Sequence, residues 1–267
     1  MIGVGIITCN RLDFLTKLVD SLPPYIDKLV IVDDANNIPT ELQKKFVLDN
    51  GCDVILQNDT NIQVGACKNK AMSYLLDAKC DYIFTLEDDI LIKDPDVFKK
   101  YIDASKNTGI QHMNFGFSQR ENLCPKTLNP VFRRTVEYPN DTKIILTQNI
   151  LGAFTFYTRK ALQTVGLHHH QFNKGHGDHP ELTYRAYKHG FTSPFWWFAD
   201  IYDSWNMIEN QSNMGSDSIV RNQEKFAANF NEANELFAKL HGHRMLETRD
   251  IGEQEVMKCL QSIYREK

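Results

Sequence analysis

Residues 81–89 have the sequence DYIFTLEDD, in which an apolar run is followed directly by three acidic residues. A short run that is apolar at nearly every position is typical of a strand that other elements cover on both faces. Adjacent carboxylates at the end of such a strand repel one another unless water or a cation neutralises them. The stretch therefore predicts a buried strand that ends in an acidic group formed by Glu87, Asp88 and Asp89.

Comparable runs rich in β-branched residues precede this strand. They cover residues 4–8, 29–32 and 54–56. Between them, apolar residues recur at spacings of three and four, which is typical of helices that lay one face on a sheet. These helical segments cover residues 12–22, 42–47 and 66–76. The alternation predicts a β-α-β-α-β-α-β unit with a parallel sheet and right-handed crossovers.

The rest of the chain is predicted to be irregular at first and helical at its end. Asp94-Pro95 predicts a helix start, because Asp is a favoured N-cap residue and Pro suits the first helical position. The later predicted elements are an irregular stretch over 107–147, a strand over 150–157, a helix over 159–165 ended by Gly166, and helices over 222–240 and 253–264. No repeat or linker divides the chain, so we expect one domain over residues 1–220 and a C-terminal helical extension over 221–267.

The composition is that of an ordinary soluble globular protein and argues against several classes. Hydrophobic residues make up 42% and charged residues 24% of the 267 residues. Thirty Lys and Arg against 34 Asp and Glu give a net charge of −4, which argues against nucleic-acid binding through a broad basic field. No apolar run approaches the ~20 residues that a membrane-spanning helix needs.

The N-terminus and the cysteines indicate the compartment. Met1 is followed at once by the first predicted strand, without a basic leader, so we expect no signal peptide. The six cysteines are scattered without a C-x-x-C pair, and in a chain of this length we expect them to be reduced thiols. Together these features predict a cytoplasmic protein.

Polar residues follow the strands at the edge where open parallel sheets bind their ligands. Thr8, Asn10 and Arg11 follow the first strand, and Asp34 follows the second. Mg²⁺ and Mn²⁺ prefer hard oxygen ligands, and they bind through a few carboxylates together with phosphate and water. The acidic group at 87–89 is therefore a candidate metal site, and the alternative is a solvated acidic turn that caps the next helix.

Two clusters have both a functional and a structural interpretation. Five of the nine histidines lie within residues 168–179, and zinc binding is one hypothesis for them. Three consecutive histidines cannot all point the same way and no H-E-x-x-H spacing occurs, which favours a polar loop with one or two active-site members. The aromatic residues at 195–198 and Trp205 form either a core cluster or a surface that stacks on sugar rings.

Four segments in the first half, taken in order, resemble motifs of the GT-A glycosyltransferases, in particular those of family 2. They are GVGIITCNR over 3–11, VIVDDA over 30–35, NIQVGACKN over 61–69 and EDD over 87–89. The third resembles N-x-G-x-x-x-x-R-N with one inserted residue and Lys68 in place of Arg, and the usual Gly-Ser after the paired aspartates is absent. The fourth falls where the family carries its D-x-D metal motif.

The resemblance continues to about residue 203. Segments 151–154 and 159–166 resemble the strand and the helix before the acceptor loop, and DHPELTYR over 178–185 resembles E-D-x-D-L-x-x-R. It implies a Rossmann-like GT-A α/β fold, a mostly parallel sheet flanked by helices. The nucleotide-sugar-binding half would cover 1–106 and the acceptor-binding half 107–220.

Two registers of the last motif stay open. Anchoring on Arg185 and Gly190 puts Asp178 at the Glu of the motif and His179 at its catalytic Asp. Anchoring on Gly175 puts Asp178 at the catalytic Asp itself, with one residue inserted. The resemblance therefore implies Asp178 as the base that takes the proton from an acceptor hydroxyl, with His179 as the alternative base.

The resemblance also implies donor and metal sites. The implied donor-binding residues are Thr8, Asn10 and Arg11 near the nucleobase, Asp34 at a ring N–H, Lys68 at the diphosphate and Asp88 at the ribose or the metal. The cofactor would be Mn²⁺ or Mg²⁺, held by Asp89 and Glu87, with Asp203 or His243 as a further ligand.

The implied function is metal-dependent transfer of a sugar from a nucleotide-diphosphate sugar, expected to be a UDP-sugar, to an acceptor hydroxyl with inversion. The acceptor would be a glycan or another hydroxyl compound. One alternative is a catalytically degenerate protein that binds a nucleotide sugar. Another is a sugar nucleotidyltransferase, which the absence of a Gly-rich loop after the first strand argues against.

Overall fold

The structure, a computed structural model, describes residues 1–118, 122–172, 176–211 and 223–267. The strands are β1 Ile2–Thr8, β2 Lys28–Asp33, β3 Val54–Gln57, β4 Tyr82–Glu87, β5 Ile90–Ile92, β6 His112–Asn114, β7 Arg134–Glu137, β8 Lys143–Thr147, β9 Phe154–Thr158, β10 Phe198–Ile201 and β11 Ile208–Asn210. The helices are α1 Leu12–Ser21, α2 Thr40–Leu48, α3 Val64–Asp77, α4 Val97–Thr108, α5 Arg159–Val165, α6 Asp178–Lys188, α7 Ser204–Met207, α8 Gln223–His241 and α9 Glu253–Arg265. The expected domain boundary at 220 and the first residue of the predicted helix 222–240 lie outside the described residues.

A six-stranded sheet with the order β3-β2-β1-β4-β9-β6 forms the middle layer. The four strands β1 to β4 are parallel, and β9 runs antiparallel to both of its neighbours, β4 and β6. The prediction of an α/β protein with a mostly parallel sheet flanked by helices is confirmed. Since β1 lies between β2 and β4, the carboxyl ends of these three strands meet at one edge of the sheet.

Both faces of this sheet are covered, which explains why its strands are apolar at nearly every position. One face packs against α3, α5 and α6 through buried residues that include Leu75, Leu162 and Leu182. The other face packs against α1, α2 and α4 through buried residues that include Leu15, Phe46 and Phe98. The two apolar layers hold the strand ends rigidly in place.

The strand β1 and the helix α3 approach each other closely at two glycines. A Cβ atom on Gly5 would lie 2.6 Å from the Cβ of Ala71, and one on Gly3 would lie 2.8 Å from the Cδ2 of Leu75. Both distances are shorter than real Cβ contacts, so neither position has room for a side chain. The Gly-x-Gly pattern of the first strand therefore serves helix–sheet packing.

Two smaller antiparallel sheets complete the body, one with the order β10-β8-β7 and one formed by β11 and β5. The first of them carries a fully buried carboxylate, Asp200. The hydroxyl of Tyr101 on α4 donates a hydrogen bond to this carboxylate, and Ser204 donates another at 2.7 Å. These bonds connect the small sheet to α4 and thereby to the central sheet.

The C-terminal helices pack on the same body. The ring of Phe237 on α8 lies 5.1 Å from that of Tyr184 on α6. The apolar face of α9 contributes Val256, Leu260 and Ile263 to the main core. The two helices predicted near the C-terminus are therefore observed, and they contact α6 and the core.

Three sequence-based predictions differ from the structure. The helix predicted at Asp94-Pro95 begins at Val97, because the Asp94 side chain accepts a hydrogen bond from the Asp96 N–H at 2.9 Å and forms a turn instead of an N-cap. The strand predicted over 150–157 begins at Phe154, and the stretch predicted to be irregular contains β6, β7 and β8. Two of the missed strands, β6 and β7, have the largely polar sequences HMN and RTVE and so lack the apolar run that marks the other strands.

No helix within the described ranges is long and apolar enough to cross a membrane.

All six cysteines are free thiols, and three of them, Cys52, Cys67 and Cys80, are buried.

Candidate active site

The acidic group lies where β1, β2 and β4 end together. The parallel register aligns Ile7 with Glu87, so that the end of β1 lies beside the acidic residues. The Thr8 hydroxyl donates a hydrogen bond to Asp88 at 2.7 Å, and the Asp88 N–H donates to the Ile7 carbonyl at 3.1 Å. The polar residues after the strands, which are far apart in sequence, are thus brought to one edge, as parallel sheet geometry predicts.

Arg11 bridges two of the three acidic side chains. One terminal nitrogen of its guanidinium contacts Asp88, and the other donates to Asp89 at 3.0 Å. The Asp88 side chain is fully buried, the Asp89 side chain is 9% exposed, and the Arg11 side chain is 19% exposed. Burial raises the pKa of the Asp88 carboxyl to about 7, although Arg11 and the Thr8 hydroxyl offset part of the effect.

Lys68 neutralises the third acidic residue from the other side. It lies on α3, its side chain is 1% exposed, and its ammonium donates at 2.9 Å both to Glu87 and to the Gly152 carbonyl. Burial alone would lower the pKa of Lys68, but Glu87 and Asp178 outweigh it and raise that pKa above its usual value. The pKa of Glu87 is lowered because the attraction of Lys68 exceeds the effect of burial.

Asp178 opens α6 and points towards the same ammonium. Its side chain is 2% exposed, and its Oδ2 atom lies 4.0 Å from the Lys68 Nζ. Burial would raise the pKa of Asp178, but the neighbouring His179 and Lys68 outweigh it and lower that pKa below its usual value. Asp178 is therefore an ionised carboxylate at neutral pH, and Lys68 connects it to the acidic end of β4.

His179 forms a pair with Asp178. Its Nδ1 atom lies 3.2 Å from the Asp178 Oδ1 atom, and its side chain is 20% exposed. Since an ionised carboxylate can only accept, the Nδ1–H of His179 donates to Asp178. A Cβ on Gly152 would lie 2.8 Å from the Lys68 Nζ and 2.9 Å from the His179 Nδ1, so only glycine fits between them.

The loop before α6 is anchored to α3 by Asn69. The Asn69 side chain donates to the His168 carbonyl and accepts from its N–H, both at 2.8 Å. The buried His168 ring in turn donates from Nδ1 to the Asp178 carbonyl at 3.1 Å. Burial lowers the pKa of His168 to about 4, so the ring is neutral. This chain of bonds holds the start of α6 against α3.

Arg185 fixes the other end of α6. It forms a bidentate ion pair with the buried Glu181 at 2.7 and 2.8 Å, and it donates to the Leu167 carbonyl at 2.7 Å. Glu181 also contacts the His241 Nε2 of α8 at 3.1 Å. The Glu and Arg of the DHPELTYR segment therefore orient the helix that carries Asp178.

Two predicted donor residues lie at the same edge but have other partners. Asp34 is buried, and its carboxylate accepts hydrogen bonds from the Asn58 side chain and from the N–H groups of Ile62 and Gln63 at 2.8–3.0 Å. Asn10 is exposed and accepts from the Asn37 side chain at 2.7 Å. Asp34 thus shapes the loop before α3, and Asn10 lies at the rim.

The two further metal-ligand candidates lie elsewhere. Asp203 precedes α7, and its carboxylate accepts from the Asn206 side chain at 2.6 Å. His243 follows α8, and its Nε2 lies 2.9 Å from the Tyr184 hydroxyl. The structure brings neither of them into contact with the acidic group within the described residues. Gly175, on which the second register of the motif depends, lies outside those residues.

The histidine and aromatic clusters separate into structural and exposed members. His168 is buried, and His170 is exposed beside a groove of about 730 Å³ that runs along the outer face of α3 next to β3. Phe195, Trp197 and Phe198 are buried. The stretch 195–198 is therefore mainly core, and none of the predicted site residues lines the groove.

The donor atoms of the acidic group fit a divalent cation that takes its other ligands from a substrate. Asp88 and Asp89 are adjacent carboxylates, and Mg²⁺ is usually bound through one or two carboxylates plus phosphate and water. In the described part of the chain, no group of three His, Cys, Asp or Glu side chains is arranged to hold a metal ion. A bound diphosphate would therefore have to complete such a site.

The sequence matches no protein-family model and no curated protein. Solved structures nevertheless share its fold. S. aureus TarS matches over 98% of this chain and 42% of its own, with a TM-score of 0.59 and 16% identity. TarS residues 1–349 in complex with UDP-GlcNAc match over 98% of this chain and 71% of their own, with a TM-score of 0.58 and 16% identity. The chain thus spans less than half of the full TarS chain.

A mannosyltransferase from Pyrobaculum calidifontis, PcManGT, in complex with GDP-Man and Mn²⁺, matches over 70% of this chain and 51% of its own. Its TM-score of 0.46 and its identity of 11% are too low to bear on the site. The TarS similarity, at about one residue in six, concerns the fold alone. The chain shares the fold of TarS, and its chemistry has to be inferred from its own residues.

Gly152 and His168 take part in the site although the sequence did not single them out. Gly152 lies in a run predicted as strand, and His168 lies in a cluster whose members look alike in sequence. The segment 61–69, which resembles N-x-G-x-x-x-x-R-N, contained one sequence signal of this arrangement. It is Asn69, which directly follows Lys68 and binds the backbone of His168.

Proposed function

We propose that this protein is a glycosyltransferase that moves a sugar from a nucleotide-diphosphate sugar to an acceptor hydroxyl, with a UDP-sugar as the donor. One observation carries the proposal: Lys68 joins the acidic end of β4 to the Asp178–His179 pair at the edge of a glycosyltransferase-type sheet. A donor at the acidic group and an acceptor at the pair would therefore be neighbours. The TarS complex with UDP-GlcNAc, which has the same fold, supports the choice of donor.

In the proposed reaction, His179 accepts the proton of the acceptor hydroxyl on Nε2 while Asp178 holds Nδ1–H. The acceptor oxygen forms a bond with the anomeric carbon, the bond from that carbon to the phosphate oxygen breaks, and the nucleoside diphosphate leaves with the electron pair. One displacement of this kind inverts the anomeric centre. The exposure of His179 and the burial of Asp178 support this division of roles.

A divalent cation held by Asp88 and Asp89 would supply positive charge for the leaving diphosphate. Lys68 keeps Asp178 ionised and holds Glu87, and it does so from a buried site where no substrate needs to reach it. Thr8 fixes one oxygen of Asp88. These residues orient the groups that contact the substrate.

The test begins with a panel of nucleotide sugars, with Mn²⁺ present and absent, in which release of the nucleoside diphosphate is measured. We expect turnover or slow donor hydrolysis with at least one UDP-sugar. Asp178→Asn and His179→Gln should each lower kcat by at least 10²-fold, which is the usual contribution of a general base. UDP affinity should change less than threefold in both variants, because neither residue belongs to the proposed donor site.

The two candidate bases are separated by the same variants. If Asp178 itself takes the proton, His179→Gln keeps most of the activity and Asp178→Asn does not. The proposal as a whole is wrong if no nucleotide sugar binds and Asp89→Ala leaves nucleotide affinity unchanged.

One observation favours a second candidate, a protein that binds a nucleotide sugar without transferring it. Each carboxylate of the acidic group already contacts a cation, Arg11 for Asp88 and Asp89 and Lys68 for Glu87, so its stability does not require a metal. In that case UDP-sugar binding is measurable, and Asp178→Asn and His179→Gln change neither hydrolysis nor transfer, because there is none to change.

A further inference from the structure

The two internal cations of the site differ in how accessible they are. Lys68 is 1% exposed and is bonded to Glu87 and Gly152 in the interior. Arg11 is 19% exposed, and it lies in the turn between β1 and α1 with its guanidinium 5.8 Å from the centre of the Phe14 ring. Lys68 is therefore enclosed, whereas Arg11 lies at the rim of the site, where a ligand can reach it.

The guanidinium of Arg11 contacts two carboxylates at once. One terminal nitrogen contacts Asp88 and the other donates to Asp89 at 3.0 Å, while its buried Nε has no hydrogen-bond partner in the described part of the chain. The bridge offsets the repulsion between adjacent carboxylates. It also means that the atoms suited to a divalent cation are the atoms that Arg11 now contacts.

A diphosphate at this edge would add negative charge to a site in which two cations already face four carboxylates, those of Glu87, Asp88, Asp89 and Asp178. Like charges in a partly dry site repel strongly. A divalent cation at Asp88 and Asp89 would raise the positive charge to match the four carboxylates, and it would displace the guanidinium by repulsion and by taking the same oxygen atoms. A guanidinium displaced in this way binds phosphate well, because two of its nitrogens can donate in parallel to two phosphate oxygens.

We propose that Arg11 is an exchangeable counter-cation: it holds Asp88 and Asp89 when no metal is present, and it moves to the diphosphate of the donor when a divalent cation takes these carboxylates. This inference rests on the proposed function and assigns Arg11 to the diphosphate instead of the nucleobase. It couples the two ligands, because metal binding frees the residue that binds the nucleotide and nucleotide binding removes the competitor of the metal.

The test measures Mn²⁺ binding to the full chain by the loss of the EPR signal of free Mn²⁺, without nucleotide and with saturating UDP. In the wild type we expect weak binding of Mn²⁺ alone and at least tenfold tighter binding with UDP. Arg11→Met should bind Mn²⁺ alone at least tenfold more tightly than the wild type does. UDP, which would still supply phosphate ligands, should improve Mn²⁺ affinity at least threefold less in this variant than in the wild type. UDP affinity at saturating Mn²⁺ should fall, since Arg11 no longer contacts the diphosphate.

The matched control is Lys17→Met, which removes an exposed positive charge close to Phe14 on α1, the helix that follows Arg11. It should leave Mn²⁺ affinity unchanged within twofold. Arg11→Lys is the second variant and carries the test if Arg11→Met does not fold. A lysine can hold only one of the two carboxylates in this way, so Mn²⁺ affinity without UDP should rise three- to tenfold.

Equal or weaker Mn²⁺ binding by the Arg11 variants in the absence of UDP overturns the inference. If the wild type binds UDP and Mn²⁺ normally in that case, the proposed function survives. If the wild type binds no UDP at any Mn²⁺ concentration, the proposed function fails and this inference fails with it.

Discussion

Two buried aspartates, Asp178 at the site and Asp200 in the small sheet, show opposite electrostatic behaviour. Both are at most 1% exposed. The pKa of Asp178 is lowered, because His179 and Lys68 outweigh the effect of burial, whereas burial raises the pKa of Asp200 to about 7. The difference comes from the partners, since Asp200 is held by the Tyr101 and Ser204 hydroxyls and by N–H groups and forms no ion pair among the described residues.

The comparison teaches that burial alone does not decide what an acidic residue does. A cation within 4 Å keeps Asp178 ionised and able to orient His179. Hydroxyl donors hold Asp200 in place but stabilise its negative charge less. The first arrangement suits a reaction, and the second connects α4 to the small sheet.

Removing Lys68 should reduce the difference between the two aspartates and have the largest effect on stability. Lys68→Met leaves Glu87 and Asp178 without the buried cation that they share, and removing one partner of a buried ion pair typically costs about 3–5 kcal/mol. We expect a loss of this size in urea denaturation at pH 7. Lys70→Met is the control, because it removes an exposed lysine two residues away on the same helix. A loss for Lys68→Met no greater than that for Lys70→Met would contradict the assigned role of Lys68.

A change of pH should affect the stabilising contributions of the two aspartates in opposite directions, and it requires no change of Lys68. The folded pKa of Asp200 lies above its unfolded value, so its stabilising contribution is complete below about pH 4 and is lost as the pH rises through 7. With a shift of about three units, the free energy of unfolding should fall by up to about 4 kcal/mol over this range because of this residue. Asp178 acts in the opposite direction, since its contribution is present at neutral pH and is lost only in acid.

The measurement is a series of urea denaturations between pH 4 and 8 for the wild type and for Asp200→Asn. The difference in unfolding free energy between the two proteins should change steadily in favour of the variant as the pH rises. The control is Asp203→Asn, which removes a half-buried carboxylate three residues away. Its unfolding free energy should depend on pH in the same way as that of the wild type. Parallel curves for Asp200→Asn as well would refute the raised pKa.

The smallest expected effect is that of a single methyl group placed against the cation of Asp178. Gly152→Ala puts a Cβ within 3 Å of both the Lys68 Nζ and the His179 Nδ1, and overpacking of this kind costs about 1–3 kcal/mol. We also expect any transfer activity to fall while UDP affinity is retained, because the methyl group disturbs the Asp178–His179 pair and not Asp88. Gly252→Ala, with nothing within 4 Å, should change stability by less than about 1 kcal/mol.

Much of the sheet could be predicted because the signal is local. The strands β1 to β4 and the helix α5 follow from runs and spacings within a few residues of one another, and the structure reproduces them with shifts of one or two residues. The strands β6 and β7 could not be predicted, because they have the sequences HMN and RTVE and lack an apolar run, and β8 pairs with strands that the sequence did not indicate. Short apolar runs do not identify their partners.

The site was predicted as a set of residues but not as a set of contacts. Thr8, Arg11 and Asp88 all lie at the expected sheet edge, yet the sequence could not show that Arg11 bridges two carboxylates. It could not show either that Lys68 is buried between Glu87 and Asp178. Roles in binding the donor, for these residues and for Asn10 and Asp34, stay predictions.

The sequence by itself determined the parallel α/β unit and the acidic end of β4, because side-chain periodicity and the order of strands are properties of neighbouring residues. Only the tertiary structure decided which charges meet. The pairs Arg11–Asp89 and Lys68–Asp178 join residues from distant parts of the chain, and their energies depend on distance and burial. Neither quantity exists before the chain has folded.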